Sequence, residues 1–247
     1  MSGHSKWANI KHKKAKGDAA RSNVFTKIGR EIAIAVKQGG PDPASNSRLR
    51  DAIVNAKSNN MPNDNIARSI KKASGEGDSV NYEEMTYEGY GVGGTAFIIE
   101  ALTDNKNRTA GDVRHIFDKY GGSLGATGCV SYMFKKRGAV VIAKADIGED
   151  DLMMLAVEAG ADDINSDDGE VYEVYTLPQD LGKVREALEA AKLNVLSAGF
   201  AMIPENEITP SDAHAETLLK MIDKLDELDD VQNIYHNAVL PEEDEEE

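Results

Sequence analysis

Ten side chains near the amino terminus offer the densest chemistry in the sequence: Lys6, Trp7, Lys11, His12, Lys13, Lys14, Lys16, Arg21, Lys27 and Arg30. The first thirty residues hold eight Lys or Arg against one acid, Asp18, a net +7. Cations at this density bind polyanions, because each phosphate they neutralise releases condensed counterions. Trp7, His12 and Phe25 interleave with them, and aromatic faces stack on exposed bases. Trp7 packing against its own helical bundle is the competing use. A solubilising tail and an anionic membrane surface are the competing readings of the lysines. The membrane reading lacks an apolar anchor, and Ser2 stands where myristoylation needs glycine. A second set, Lys106, Arg108 and Arg114, falls in or just after a strand-to-helix loop. Backbone N–H groups at a helix start can hold a phosphate, so these are candidate phosphate contacts. A capped loop with solvated charges is the alternative there.

Other patterns fail on context. The histidines His4, His12, His115, His214 and His236 form no i, i+4 pair and no H-E-x-x-H, so no metal site is expected. Gly89-Tyr90-Gly91-Val92-Gly93-Gly94 matches G-x-G-x-x-G. A dinucleotide site, however, needs a helix after the glycines, and the strand-like Thr95-Ala96-Phe97-Ile98-Ile99 follows. Asp163 to Asp168 begins like a calcium loop, but its sixth position is Asp168 and its twelfth Val174, where Gly and Glu are required. A hairpin turn is expected instead. Cys129, the single cysteine, excludes a disulfide framework and reads as a buried structural thiol. No cofactor, small-molecule substrate or catalytic residue is expected. An enzyme with its site between the acidic domains is the remote alternative, and a thermal shift with nucleotides and divalent metals would reveal it.

The 247 residues are ordinary in composition, 40% apolar and 29% charged. Their charge is not evenly spread. Residues 1–72 hold 15 Lys+Arg and 5 Asp+Glu, net +10, while the remainder holds 13 and 38, net −25. The body repels nucleic acid, so the N-terminal domain must lead any binding. No secretory signal or apolar run of membrane-spanning length occurs, and a cytoplasmic protein without a membrane partner is expected.

The elements that position these residues follow from periodicity. Val24, Phe25, Ile28, Ile32, Ala35 and Val36 line one helix face, which Gly39-Gly40-Pro41 ends. Ser47 caps a second helix on Leu49, Ile53 and Ala56. A third runs from Asn63 to Ala73 with Ile66 and Ile70 inward and Arg68, Lys71 and Lys72 pointing away. Past the linker Gly75–Ser79, strands are predicted over Glu84–Tyr90 and Thr95–Leu102. A helix capped by Asn107 or Thr109 and a strand over Val130–Phe134 come next. From Gly138 the order becomes βαββαβ, the ferredoxin-like arrangement. A helix opened by Thr209-Pro210 and a strand over Val231–Ala238 are then left over, and they return most economically to the earlier sheet.

The expected fold class is therefore α+β. An N-terminal three-helix bundle with a basic arm precedes two α+β domains, one ferredoxin-like and inserted into the other. The expected domains are residues 1–79, 80–137 with 205–240, and the insert 138–204, followed by an acidic tail at 241–247.

Gly3-His4-Ser5-Lys6-Trp7-Ala8-Asn9-Ile10-Lys11-His12 resembles the opening of the YebC/PmpR family. Tyr87–Gly91, Leu102–Thr109, Val113–Phe117 and Ile234–Asn237 extend the resemblance over nearly the whole chain. It implies a nucleic-acid-binding regulator of gene expression rather than an enzyme. The family's usual label is transcriptional regulator acting on DNA. Some members, and mitochondrial relatives described as translational activators, imply instead a translation factor on ribosomal RNA at the ribosome.

Overall fold

The computed structural model describes residues 18–75 and 81–241, with side chains from Asn23 onward. Three helices come first: α1 (Asp18–Gly39), α2 (Ser47–Ser58) and α3 (Asn63–Ser74). Their apolar stripes meet in one core of Ile28, Ile32, Ala35, Val36, Leu49, Ala52, Ala56 and Ile66. Phe25 packs against that core, so its ring belongs to the bundle rather than to a stacking platform. The N-cap of α2 is Asn46, one residue before the predicted Ser47. Its Oδ1 accepts from Leu49 N at 3.0 Å, while its Nδ2 donates to Ala35 O and Gly40 O at 2.7 and 2.8 Å. Asparagine supplies both acceptor and donors, and serine could not span both helices.

The next domain is an antiparallel sheet in the order β3 (Ser123–Leu124), β1 (Glu83–Tyr90), β2 (Ala96–Thr103) and β8 (Val231–His236). β1 pairs with β2 through the register Glu83↔Thr103 to Tyr90↔Ala96. α4 (Lys106–Lys119) and the short β3 (Ser123–Leu124) follow. The strand predicted over Val130–Phe134 does not form. The buried Glu88 carboxylate accepts the N–H groups of Gly128, Val130 and Ser131 at 2.8–2.9 Å, removing those donors from any ladder, and Ser131–Met133 is a 3-10 turn. The strand β4 starts only at Phe134 and runs to Ala143.

β4 opens the inserted domain. It is followed by α5 (Glu149–Ala159), β5 (Asp163–Asn165), β6 (Val171–Thr176), α6 (Leu181–Ala190) and β7 (Val195–Pro204). The sheet order β5-β6-β4-β7 is that of the ferredoxin-like fold. Val140, Ile142 and Val174 of the sheet pack on Leu152 and Ala156 of α5 and Val184 and Leu188 of α6. Asp168 Oδ1 accepts from the N–H groups of Glu170 and Val171 and closes the β5–β6 turn.

The chain then returns through α7 (Asp212–Asp226) and β8 (Val231–His236), which pairs with β2. Ser211, not Thr209, stands at the N-cap of α7. The preceding segment is held elsewhere: Ile208 bridges Ala238, donating to Asn237 O and accepting from Val239 N, each at 2.8 Å. Where the chain enters and leaves the insert, Glu205 N donates to Met133 O at 2.8 Å and Lys135 pairs with Glu205. Phe97 and Phe117 meet edge to face in the core beneath this sheet. By packing, the described chain forms two compact units, 81–135 with 202–241 and 18–75 with 136–201.

Candidate nucleic-acid interface

Among the predicted contacts, Lys6, Trp7, Lys11, His12, Lys13, Lys14 and Lys16 lie outside the described residues, and Arg21 is placed only by its backbone in α1. Lys27 is 5% exposed and Arg30 half-buried on the same helix. What the structure does fix is the turn at the far end of that helix, which joins α1 to α2. The end of α1 is tied to the start of α2 by Asn46, and Gly39 must be glycine there, since a Cβ would stand 2.7 Å from the Asn46 side chain. Gly40, at φ +83°, makes the turn.

The bundle adds cations that the sequence alone did not single out as contacts. Arg68, Lys71 and Lys72 are exposed on α3, and Lys57 on α2. Their side chains make no ion pair or hydrogen bond among the described residues. Positions i, i+3 and i+4 share one helix face, so 68, 71 and 72 form a single cationic strip. The signal in the sequence was their placement off the Ile66/Ile70 stripe. Lys71 and Lys72 also complement the partial negative charge at the α3 carboxyl end, a role that leaves their charge available to a phosphate. Arg48 and Arg50 differ. Arg48 is engaged by Glu31 at 2.8 Å and Gln38 at 2.7 Å, and Arg50 by Glu186 at 3.3 Å.

The second candidate set is built into its own domain. Asn105, rather than Asn107 or Thr109, caps α4, accepting from Arg108 N at 3.1 Å. Thr109 points its Oγ1 inward, to Asp230 at 2.6 Å and Thr103 at 2.7 Å. Arg108 donates to Asp230 at 2.8 Å and Asp104 at 2.7 Å, and the hydrogen bond to Asp230 leads in holding its guanidinium still more firmly charged. Lys106 Nζ lies 2.6 Å from Glu83. Arg114 is exposed one and a half turns further on. This loop joins the end of β2 to the start of β8 through a buried carboxylate.

The glycine-rich segment is a hairpin connection. Gly93 and Gly94 take φ +68° and +77°, and β2 follows at once. A Cβ on Gly91 would meet the Phe97 ring at 2.7 Å. Cys129 is half-buried in the loop that Glu88 holds. Burial leads in pushing its thiol up, with the Glu88 carboxylate adding to it. Among the described residues no group of three or more His, Cys, Asp or Glu is arranged to hold a metal ion, and no helix is long and apolar enough to cross a membrane.

Fold and surface thus define a three-part α+β protein: a helical bundle bearing unpaired cations, and an α+β domain interrupted by a ferredoxin-like insert. Family models match along the same divisions. The TACO1/YebC N-terminal domain matches residues 5–76, and the TACO1/YebC second and third domain matches residues 82–238. The chain belongs to the TACO1/YebC family. A protein of Acetivibrio thermocellus named "Probable transcriptional regulatory protein" is 60% identical over 96% of this chain and 98% of its own length. One of Thermoanaerobacter pseudethanolicus with the same designation is 54% identical over the full length of both. The crystal structure of a conserved hypothetical protein from Aquifex aeolicus superimposes with a TM-score of 0.88 at 44% identity. The match covers 98% of this chain and 100% of that one.

Proposed function

We propose that this protein is a nucleic-acid-binding regulator of gene expression that engages its target through the basic N-terminal region. The carrying observation is the division of charge, +10 over residues 1–72 against −25 beyond. The exposed strip of Arg68, Lys71 and Lys72 supports it from the described residues. Phosphates are drawn to the first 72 residues of the chain and repelled by the acidic remainder. The names of the relatives favour transcriptional regulation, and the reading we take is that it acts on DNA, in the cytoplasm. No catalytic step is assigned to any residue. In this reading Lys6, Lys11, Lys13, Lys14, Lys16 and Arg21 contact phosphates. Lys106 and Arg108, held by carboxylates, contribute less than Arg114.

A second reading, a ribosome-associated translation factor on ribosomal RNA, is favoured by the interleaving of Trp7 and His12 with the lysines. That pattern suits stacking on unpaired bases. One titration tests both. With about five phosphate contacts, log K falls against log salt with a slope of roughly −4.5 on duplex DNA and −3.5 on single strands. Replacing Lys11, Lys13 and Lys14 by Ala flattens the slope by about two to three. Trp7→Ala weakens binding to unpaired RNA by roughly 1–3 kcal/mol without changing the slope. An unchanged slope and affinity in the triple variant would remove the arm as the binding site.

A further inference from the structure

α5 of the ferredoxin-like domain is apolar on two sides. Leu152, Ala156 and Ala159 face the sheet and α6 and are buried. On the opposite side Met153, Met154 and Val157 are 47%, 66% and 60% exposed. They stand at i, i+1 and i+4 and form one apolar patch on that helix face, with Asp150, at i−3, at its amino-terminal edge. A soluble helix normally keeps its second face polar, and a contiguous apolar patch with an acidic border marks an interaction site. The border is formed by Asp150, Asp151 and Glu158, all exposed, and none has a cationic partner among the described residues.

We propose that this outer face of α5 is a docking surface for a lysine- and arginine-rich amphipathic helix of a partner protein. The occupant follows from charge. Nucleic acid and anionic lipid would bring negative groups against Asp150, Asp151 and Glu158. A second copy of this chain docking symmetrically would set the same three carboxylates against themselves, because a two-fold interface opposes each patch to its own kind. A helix with apolar residues along one side and Lys or Arg on its flanks satisfies both the patch and its border. Methionine fits this role, since its unbranched, polarizable side chain adapts to more than one partner surface. The inference is independent of which polyanion the amino terminus binds.

The test uses the full chain with its methionine methyls isotopically labelled. A synthetic Leu/Lys amphipathic helix of ~18 residues, five turns, is titrated in, and a Leu/Glu helix of the same design serves as control. Resonances of Met153 and Met154 should shift with the Leu/Lys helix and stay in place with the Leu/Glu one. The double variant Met154→Gln, Val157→Gln should bind the Leu/Lys helix at least about tenfold more weakly, the change expected from ~1.4 kcal/mol. Its melting should match that of the wild type because both side chains are already solvated. Unmoved Met153 and Met154 resonances would overturn the proposal. So would equal shifts from both peptides, or undiminished binding by the double variant. A concentration-dependent dimer that the double variant abolishes would also overturn it, by giving the face to a second copy.

Discussion

Two buried carboxylates hold the loops of the four-stranded domain, and they do so with different partners. Asp230 collects the hydroxyls of Thr103 and Thr109 and the Arg108 guanidinium. Glu88, 4% exposed, collects three backbone N–H groups, with the Ser131 hydroxyl beside them. Burial acts to raise the Glu88 pKa, but the N–H donors of Gly128, Val130 and Ser131, together with the Ser131 hydroxyl, outweigh it and hold the carboxyl below the usual glutamate range. A folded-state pKa below the unfolded one means stabilisation that is complete above the ordinary glutamate value, about 4.3. It is lost as pH falls through the folded value. Glu88→Gln places an amide NH2 against backbone donors and should cost roughly 1–3 kcal/mol near neutrality. In denaturant melts of both proteins, that difference should be flat above about pH 6 and shrink as pH drops below the glutamate range. A difference that grows toward acid pH would show that the carboxylate is not the stabilising form.

At the scale of elements, the helical bundle depends on one side chain at its tightest turn. Asn46 caps α2 and at the same time satisfies carbonyls at the end of α1. Asn46→Ala loses the cap and the amide donor shared by the Ala35 and Gly40 carbonyls, for about 2–3 kcal/mol in all. Equilibrium unfolding followed by helix signal should show it, and a loss under about 0.5 kcal/mol, the scale of an ordinary surface change, would mean the turn holds itself. This turn also marks how far the sequence could be read. Ile28, Ile32, Ala35 and Val36 announce the buried face of α1 by spacing alone, and α3 and the βαββαβ order were equally legible, so the α+β class with its ferredoxin-like insert stood in the periodicity. The caps did not. Ser47, Asn107 and Thr109 are acceptable cap residues, but Asn46 and Asn105 win because each also fits a tertiary position. Val130–Phe134 has strand composition, yet a carboxylate more than forty positions away takes its donors. Such long-range competition leaves no local trace. At the candidate interface, the cationic arm is visible in composition. Which bundle cations stay unpaired depends on the positions of Glu31 and Glu186, which no spacing rule reveals.

At the scale of the whole molecule, the bundle and the ferredoxin-like insert share one packed unit although some sixty residues of another domain separate them in sequence. Crossed charge pairs contribute to that union. Arg185 of α6 is 1% exposed and pairs with Asp51 of α2, and the neighbouring Arg50 reaches Glu186 at 3.3 Å. The buried partner is the cation; the Asp51 side chain remains partly in water. Removing one or the other is therefore not equivalent. Asp51→Ala leaves a guanidinium buried with only the more distant Glu186 and Glu189, at 3.9 and 3.8 Å, and should cost about 3–5 kcal/mol. Arg185→Met fills similar volume without a charge and leaves Asp51 its access to water. It should be close to neutral for folding, as hydrophobic replacements of buried ion pairs often are. Calorimetry of the full chain separates the two cases. Asp51→Ala should split the melting of the bundle from that of the insert, while Arg185→Met should keep the two together at nearly the wild-type temperature. If Arg185→Met were the more damaging, the ion pair itself, rather than the apolar surface around it, would be what joins the cationic bundle to the ferredoxin-like insert.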